Sequence, residues 1–210
     1  MINQPDDKIN KVNQELKTDL ERSKLVKIIE DGNIPKFLLD TNIILAYLNQ
    51  NEQFHVEAKT AIEGLKAKKA WFMIPYLVVG EFLARRNLIG GKNYSIKDAL
   101  KVLDKFDTGL KNRLVGGTPL NLQNIISFYK KHSRHSKLTG AGFNDFVILA
   151  EAVDINNIRI LTCDKRMYIC GKTIFKDRVY YLPNNTKSIR SDYPRLMSDI
   201  QNNFKLNADL

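Results

Sequence analysis

The fold is decided by residues Lys36–Leu48, which read KFLLDTNIILAYL. Three apolar residues precede Asp40, and a second apolar run follows Thr41 and Asn42. We predict a buried strand over residues 37–39 that ends at the aspartate and turns into a helix within the next two residues. A carboxylate left unpaired in apolar surroundings costs several kcal/mol, so Asp40 requires a partner.

The rest of the chain alternates short apolar strands with amphipathic helices. Further strands are predicted over residues 71–74, 113–115, 159–161 and 179–182. Further helices are predicted over residues 7–29, 54–69, 75–88, 96–106, 120–131 and 143–155. Alternation of this kind is typical of a parallel sheet with helices on both faces. We therefore expect an α/β three-layer sandwich with a central parallel β-sheet flanked by helices, preceded by an N-terminal helical extension.

Basic residues are in excess, and the excess is concentrated. The chain has 33 Lys and Arg against 23 Asp and Glu, a formal net charge of +10, and residues 85–137 contain twelve basic and three acidic residues. Such a cluster suits a polyanion, because each neutralised phosphate releases counterions, although any single lysine could belong to a solvated helix face. The residues expected to contact nucleic acid are Arg85, Arg86, Lys130, Lys131 and Arg134.

The sequence shows no sign of a membrane segment or of secretion. No apolar run approaches the roughly 20 residues of a transmembrane helix. The N-terminal stretch MINQPDDKINKVNQELK lacks the apolar core of a signal peptide. Two cysteines, Cys163 and Cys170, make no disulfide framework. We therefore expect a cytoplasmic protein without a membrane partner.

Four acids occupy positions where such a sheet binds ligands. Asp40 and Asp164 each follow a predicted strand, Asp145 opens a helix, and Glu81 interrupts an apolar helix. In parallel α/β sheets, ligands bind outside the carboxyl ends of the strands. Four carboxylates in one crevice repel one another unless a divalent cation lies between them. Oxygen-only ligands favour Mg²⁺ or Mn²⁺.

Each acid also has a purely structural interpretation. Asp40 could cap the helix that follows it, and Asp164 could cap the segment after it. Asp145 could interact with the N-terminus of its own helix, and Glu81 could pair with Arg85 four residues on. These interpretations are sufficient singly, but together they leave unexplained why all four acids fall at crevice-forming positions.

Four motifs carry a family resemblance. LLDTN at residues 38–42, VVGE at 78–81, NDFVILAEA at 144–152 and ILTCDKRM at 160–167 resemble, in order and spacing, the acidic motifs of the PIN domain family and its VapC-type ribonucleases. The resemblance implies a metal cluster of Asp40, Glu81, Asp145 and Asp164, supported by Thr41, Asn42 and Thr162. It also implies homodimers and, for a toxin, an antitoxin partner.

The resemblance divides the chain into three parts and suggests a reaction. We expect an N-terminal helical extension over residues 1–35, a PIN-like nuclease domain over 36–183 and a C-terminal tail over 184–210. The expected activity is Mg²⁺- or Mn²⁺-dependent hydrolysis of RNA phosphodiester bonds that leaves a 5′-phosphate and a 3′-hydroxyl. A catalytically weak RNA- or protein-binding module and a structure-specific DNA nuclease are the alternatives.

Three aromatic residues and a histidine pair are further candidates for contacts with a ligand. Tyr94, Phe128 and Tyr129 could stack on unpaired bases, although we expect Phe128 to belong to the core. The pair His132-x-x-His135 lacks a third zinc ligand, so we predict a solvated turn there.

Overall fold

The structure is a computed structural model of the 210-residue chain, and it describes residues 34–89, 92–116, 122–153, 155, 157–183, 189–202 and 204. The predicted helix over residues 7–29 lies outside the described residues. Among the helices that are described, none is long and apolar enough to cross a lipid bilayer.

The described chain is built on one sheet of five parallel strands. In chain order the strands are β1 (Lys36–Leu39), β2 (Trp71–Ile74), β3 (Leu114–Gly116), β4 (Ile158–Thr162) and β5 (Val179–Tyr181). Their order across the sheet is β3-β2-β1-β4-β5. Phe37 on the central strand pairs with Phe72 on one side and Arg159 on the other. All four residues of β1 are buried, as expected for a strand covered on both faces.

Eight α-helices connect and cover these strands in the described part of the chain. They are α1 (Thr41–Leu48), α2 (His55–Ala67), α3 (Tyr76–Ala84), α4 (Ile96–Gly109), α5 (Leu122–Thr139), α6 (Phe143–Val153), α7 (Lys165–Phe175) and α8 (Tyr193–Gln201). Two short 3₁₀ turns, Arg86–Leu88 and Lys176–Arg178, follow α3 and α7.

The helices form two layers. On one side α2 packs against α1 and α8, and on the other α5, α6 and α7 pack against one another. The division follows from the strand order. The chain first winds from β1 through β2 to β3, and it then winds in the opposite direction, past β1, to β4 and β5. Right-handed crossovers that run in opposite directions place their helices on opposite faces of the sheet. The predicted α/β three-layer sandwich with a parallel sheet is therefore confirmed.

The strand order creates a crevice between β1 and β4. The chain leaves β1 toward one edge of the sheet and later enters β4 on the other side, so the direction of winding reverses between these neighbours. In parallel sheets a ligand site lies outside the carboxyl ends of the strands at such a reversal. Asp40 directly follows β1, and Asp164 lies two residues beyond β4.

Three predictions along the chain were wrong or incomplete. The predicted turn at residues 132–135 is wrong, since α5 continues to Thr139 and the His132 ring lies 4.8 Å from that of Phe128 on the inward side. No helix was predicted for α7, in which Gly171 allows close packing: a Cβ there would meet Leu149 and Val179 at 3.3 Å. Part of the predicted tail is α8, which packs on α2.

Candidate active site

Asp40 lies where β1 ends and α1 begins. Its backbone N–H donates to the Leu161 carbonyl on β4 at 3.1 Å, which extends the strand pairing by one residue. Its side chain is only 4% exposed. The carboxylate does not cap α1; instead, its Oδ2 accepts a hydrogen bond of 2.7 Å from the Thr162 hydroxyl. The capping interpretation of Asp40 is therefore wrong.

The pKa of Asp40 reveals which charges surround it. Burial raises the pKa of this carboxyl from 3.8 to about 7. The hydrogen bond from Thr162 acts to lower the pKa, whereas the negative charges of Asp145, Asp164 and Glu81 raise it. A charge that shifts a pKa lies within electrostatic range of the group. The fold thus brings into one neighbourhood four acids that are widely separated in sequence.

Thr162 connects the two acids that follow strands. Its hydroxyl donates to Asp40 Oδ2 at 2.7 Å and accepts from the Asp164 backbone N–H at 2.9 Å. The Asp164 carboxylate caps α7, because its Oδ1 accepts from the N–H groups of Arg166 at 2.7 Å and Met167 at 2.9 Å. The capping interpretation of Asp164 is correct, and it coexists with a position beside Asp40.

Asp145 opens α6 and also belongs to this neighbourhood. Its Oδ2 accepts from the backbone N–H of Gly142, the residue before the helix, at 2.9 Å. Burial raises the pKa of Asp145; the Gly142 hydrogen bond and Arg166 lower this pKa, and the charges of Asp164 and Glu81 raise it. Asp145 therefore stabilises its helix start, as the structural interpretation held, and is coupled to two of the other acids.

Glu81 on α3 is held by two donors from other helices. The Thr41 hydroxyl of α1 donates to Oε2 at 2.7 Å, and the Asn144 amide of α6 donates to Oε1 at 2.7 Å. Arg85 donates to Asn42 Oδ1 at 2.9 Å, and no Glu81–Arg85 ion pair is present. The structural interpretation of Glu81 as a partner of Arg85 is therefore wrong, and Glu81 links α1, α3 and α6 at the crevice.

The four acids suit a hard divalent cation in their chemistry. All are oxygen donors, and Asp40 is buried beside three like charges, which a bound cation would compensate. Across the described ranges, no three His, Cys, Asp or Glu side chains are already arranged as ligands of one metal ion. Each of the four carboxylates accepts a hydrogen bond from the protein. The acids thus lie in electrostatic range without converging on one point.

The predicted nucleic-acid contacts lie on two helices that border the acids. Arg85 directly follows the last residue of α3, and Lys130, Lys131 and Arg134 lie on α5; these four side chains are exposed. Arg86 is partly buried and donates to the Leu83 carbonyl at 3.1 Å. Both helices are neighbours of α6, which carries Asp145: α3 and α5 each pack against it. Phe128 is a core residue, as predicted.

Several residues near the acids were missed by the sequence analysis. Asn144 binds Glu81, although only its place beside Asp145 pointed to it. Burial raises the pKa of the Cys163 thiol, and the negative charges of Asp40, Glu57 and Glu52 raise it further. Glu151 is a buried charge within the motif NDFVILAEA, and the signal that identified Asp40, an acid inside an apolar run, applied to it equally.

Three solved structures are similar to this chain. VapBC2 of Rickettsia felis, bound to a promoter DNA fragment, has 21% sequence identity and a TM-score of 0.45, and the match covers 61% of this chain and 88% of that chain. VapBC-1 of nontypeable Haemophilus influenzae has 16% identity and a TM-score of 0.44, with 64% of this chain and 91% of that chain covered. FitAcB of Neisseria gonorrhoeae has 15% identity and a TM-score of 0.42, with 64% of this chain and 92% of that chain covered.

The amino-acid sequence matches a protein family but no individual curated protein. No curated protein sequence matches the chain. The family model described as the PIN domain matches residues 37–172, well over half of the chain. This match begins within β1 and ends within α7, so it includes Asp40, Glu81, Asp145 and Asp164. The chain belongs to the PIN domain family.

Proposed function

We propose that this protein is a Mg²⁺- or Mn²⁺-dependent endoribonuclease that hydrolyses RNA phosphodiester bonds. PIN domains are generally nucleases, which supports hydrolysis of nucleic acid. The observation that carries the proposal is the surroundings of Asp40. This carboxylate is buried at the β1/β4 crevice, and the charges of Asp145, Asp164 and Glu81 all raise its pKa. Such an arrangement is costly for a scaffold and useful to a cation site.

The proposed roles follow from where each side chain lies. Asp40, Glu81, Asp145 and Asp164 would hold the cation, which when bound supplies an acidified water and neutralises charge on the phosphate. Thr162 orients Asp40 and the backbone of Asp164. Thr41 and Asn144 orient Glu81. Asn42 holds the guanidinium of Arg85 at the rim.

The basic residues support a nucleic-acid substrate. Arg85, Lys130, Lys131 and Arg134 are exposed on helices beside α6, and lysine or arginine contacts to phosphates give affinity without reading sequence. The preference for RNA rests on the resemblance of the four motifs to VapC-type ribonucleases. A panel of substrates therefore has to test it.

The experiment compares cleavage of labelled single-stranded RNA, hairpin RNA, single-stranded DNA, duplex DNA and branched DNA. We expect cleavage of RNA with Mg²⁺ or Mn²⁺, products with 5′-phosphate ends, and loss of cleavage in EDTA. Asp145→Asn should remove cleavage while RNA binding is kept, because the amide is a poor ligand for a hard cation. The matched control is Asp104→Asn, the same exchange at an exposed acid of α4.

Three outcomes would overturn the proposal. Cleavage by Asp145→Asn at the wild-type rate would show that the assigned acids are not the site. Metal-dependent RNA binding without any cleavage would favour the alternative of a binding module. Cleavage of branched DNA in preference to RNA would instead identify a structure-specific DNA nuclease.

A toxin role, an antitoxin partner, a homodimer and a cytoplasmic location stay predictions from the sequence. Growth after induction, with and without co-expression of the neighbouring reading frame, tests the toxin role. Arrested growth that the neighbour relieves would support it, and unchanged growth would count against it. Light scattering of the purified chain tests the homodimer.

A further inference from the structure

One phenylalanine of this chain is displayed to solvent beside the acids. All ten phenylalanines are described; eight are buried, Phe54 is partly buried, and Phe143 is 75% exposed. Its exposure is the highest among the large apolar side chains that the structure describes. Leaving a phenylalanine exposed forgoes roughly 1.5–3 kcal/mol of burial. Single exposed apolar residues are ordinary, so position decides whether this one matters.

The position of Phe143 is set by the candidate active site itself. It is the first residue of α6, and the next two residues are Asn144, which donates to Glu81 at 2.7 Å, and Asp145. On its other side, the Gly142 N–H donates to the Asp145 carboxylate at 2.9 Å. Adjacent Cα atoms are about 3.8 Å apart. The backbone of Phe143 is therefore fixed next to residues that contact the acids, and its side chain is exposed to solvent beside them.

Phe143 lies near a second exposed aromatic ring and near exposed basic side chains, which suits a nucleic acid with unpaired bases. Phe146, one helical turn after Phe143, packs edge-on against Tyr129 of α5 at 5.6 Å, and Tyr129 is itself 49% exposed. Lys130 and Lys131 follow it on α5, and both are exposed. Aromatic rings beside basic side chains are the combination by which proteins hold single-stranded nucleic acid: the cations contact the backbone and the rings stack on bases.

We propose that Phe143 is a stacking platform for an unpaired nucleobase of the strand that enters the crevice. This inference rests on the proposed function, since it places the base next to the phosphate to be cut. Phenylalanine has no polar atom that could read a base edge, so the platform accepts any base and favours those that stack strongly. It thereby selects unpaired over base-paired substrate.

The test measures binding separately from cleavage. Fluorescence anisotropy in EDTA gives the affinity of the full-length chain for a labelled single-stranded RNA, for the same RNA with single abasic nucleotides, and for its duplex. We expect Phe143→Ala and Phe143→Leu to weaken binding of single-stranded RNA by about 5-fold to about 150-fold, the range for one stacked base. Phe143→Tyr should retain affinity, because it keeps the ring.

An abasic nucleotide should remove the same contact from the other side. At one position of the RNA, removal of the base should weaken binding by the wild-type protein as strongly as Phe143→Ala weakens binding of the intact RNA. The same abasic RNA should bind Phe143→Ala no more weakly than the intact RNA does. Val153→Ala is the matched control, since it truncates another exposed apolar residue at the opposite end of α6. It should bind as wild type does.

The failures can be told apart. If Asp145→Asn loses cleavage but Phe143→Ala binds every RNA as wild type does, the platform is wrong and the proposed function stands. If Phe143→Leu keeps full affinity for single-stranded RNA, or if Phe143→Ala changes only the oligomeric state in light scattering, Phe143 is an apolar contact with another protein. Either result overturns the inference. If wild type binds no single-stranded RNA, the inference falls as well.

Discussion

Two buried carboxylates of this chain, Asp40 at the carboxyl edge of the sheet and Glu151 within α6, have very different surroundings. They are 4% and 3% exposed, and burial raises the pKa of each to about 7. Asp40 accepts a hydrogen bond from Thr162 and lies near three other acids. Neither carboxylate oxygen of Glu151 has a hydrogen-bond partner within the part of the chain that the structure describes.

The comparison shows that burial and a raised pKa do not by themselves identify a site. Within the described part of the chain, burial is the one cause of the raised pKa of Glu151, and no neighbouring charge there contributes to it. For Asp40, three charges from different elements contribute as well. A second acid with the same burial therefore serves as an internal control for the first.

The largest expected effect is on cleavage by the two amide variants. Asp40→Asn should lower the rate of RNA cleavage at least about 1000-fold, because it removes a ligand of an ion that supplies several kcal/mol of transition-state stabilisation. Glu151→Gln, the same change of chemistry at a buried acid, should cleave at the wild-type rate. Single-turnover cleavage of labelled RNA measures both. Equal losses in the two variants would mean that burial, not the acid cluster, explains the effect.

The second expectation concerns the pH dependence of stability, for which Glu151 is the tested acid. Burial raises the pKa of Glu151 from 4.5 to about 7, so between these pH values the folded protein binds more protons than the unfolded chain. The contribution of Glu151 to the free energy of unfolding is fully present below pH 4.5 and is lost as the pH rises through about 7. The loss amounts to about 3 kcal/mol.

Glu151→Gln should abolish this part of the pH dependence. Above pH 7 the variant should therefore be more stable than wild type by up to about 3 kcal/mol, as measured by urea unfolding in EDTA at several pH values. Asp104→Asn, at an exposed acid, is the control and should follow the wild-type curve. A variant as pH-dependent as wild type would show that Glu151 has a partner that neutralises it.

The third expectation concerns the hydroxyl that joins Asp40 to Asp164. Thr162→Val keeps the shape of the buried side chain but removes the hydrogen bonds at 2.7 and 2.9 Å. We expect cleavage to fall by about 10-fold to 100-fold, the usual effect of losing a residue that orients a metal ligand. Thr162→Ser, which keeps the hydroxyl, should restore most of the rate. No rescue by serine would attribute the loss to packing.

The smallest expected effect is at Asn144. Asn144→Ala removes one of the two hydrogen bonds that hold Glu81 and leaves the bond from Thr41. A net loss of about 0.5–1.5 kcal/mol should lower cleavage by about 2-fold to 12-fold. Asn202→Ala, which removes an exposed amide that contacts Ser198 at the end of α8, should leave cleavage unchanged. A larger loss than that at Thr162 would make Asn144 the more important of the two supports.

Much of the sheet could be predicted because its signals are local. The runs at β1 and β2 are apolar and are bounded by Asp40 and Pro75, so the predicted strands agree with the structure to within a residue. The helix α7 was missed because its inward face includes Cys170 and Gly171, which look like a break in an apolar stripe. That glycine is there for close contact with Leu149 and Val179, and this contact exists only in the folded chain.

The acids could be singled out from sequence, but their contacts could not. Asp40 and Asp164 were found because each follows a strand, whereas the bonds of Glu81 to Thr41 and Asn144 span 40 and 63 positions and depend on how three helices meet. Phe143 was overlooked because its exposure of 75% depends on how the folded chain packs around the start of α6. The N-terminal extension and the boundaries of the tail stay predictions.

Calorimetric titration of Mn²⁺ into metal-free protein at a pH above 7 measures cation binding by these acids without requiring a substrate. We expect wild type and Glu151→Gln to bind Mn²⁺ with the same affinity, and Asp40→Asn to bind it at least about 10-fold more weakly. Equal affinity of Asp40→Asn and wild type, or no binding by either, would contradict the claim that these four acids form a cation site.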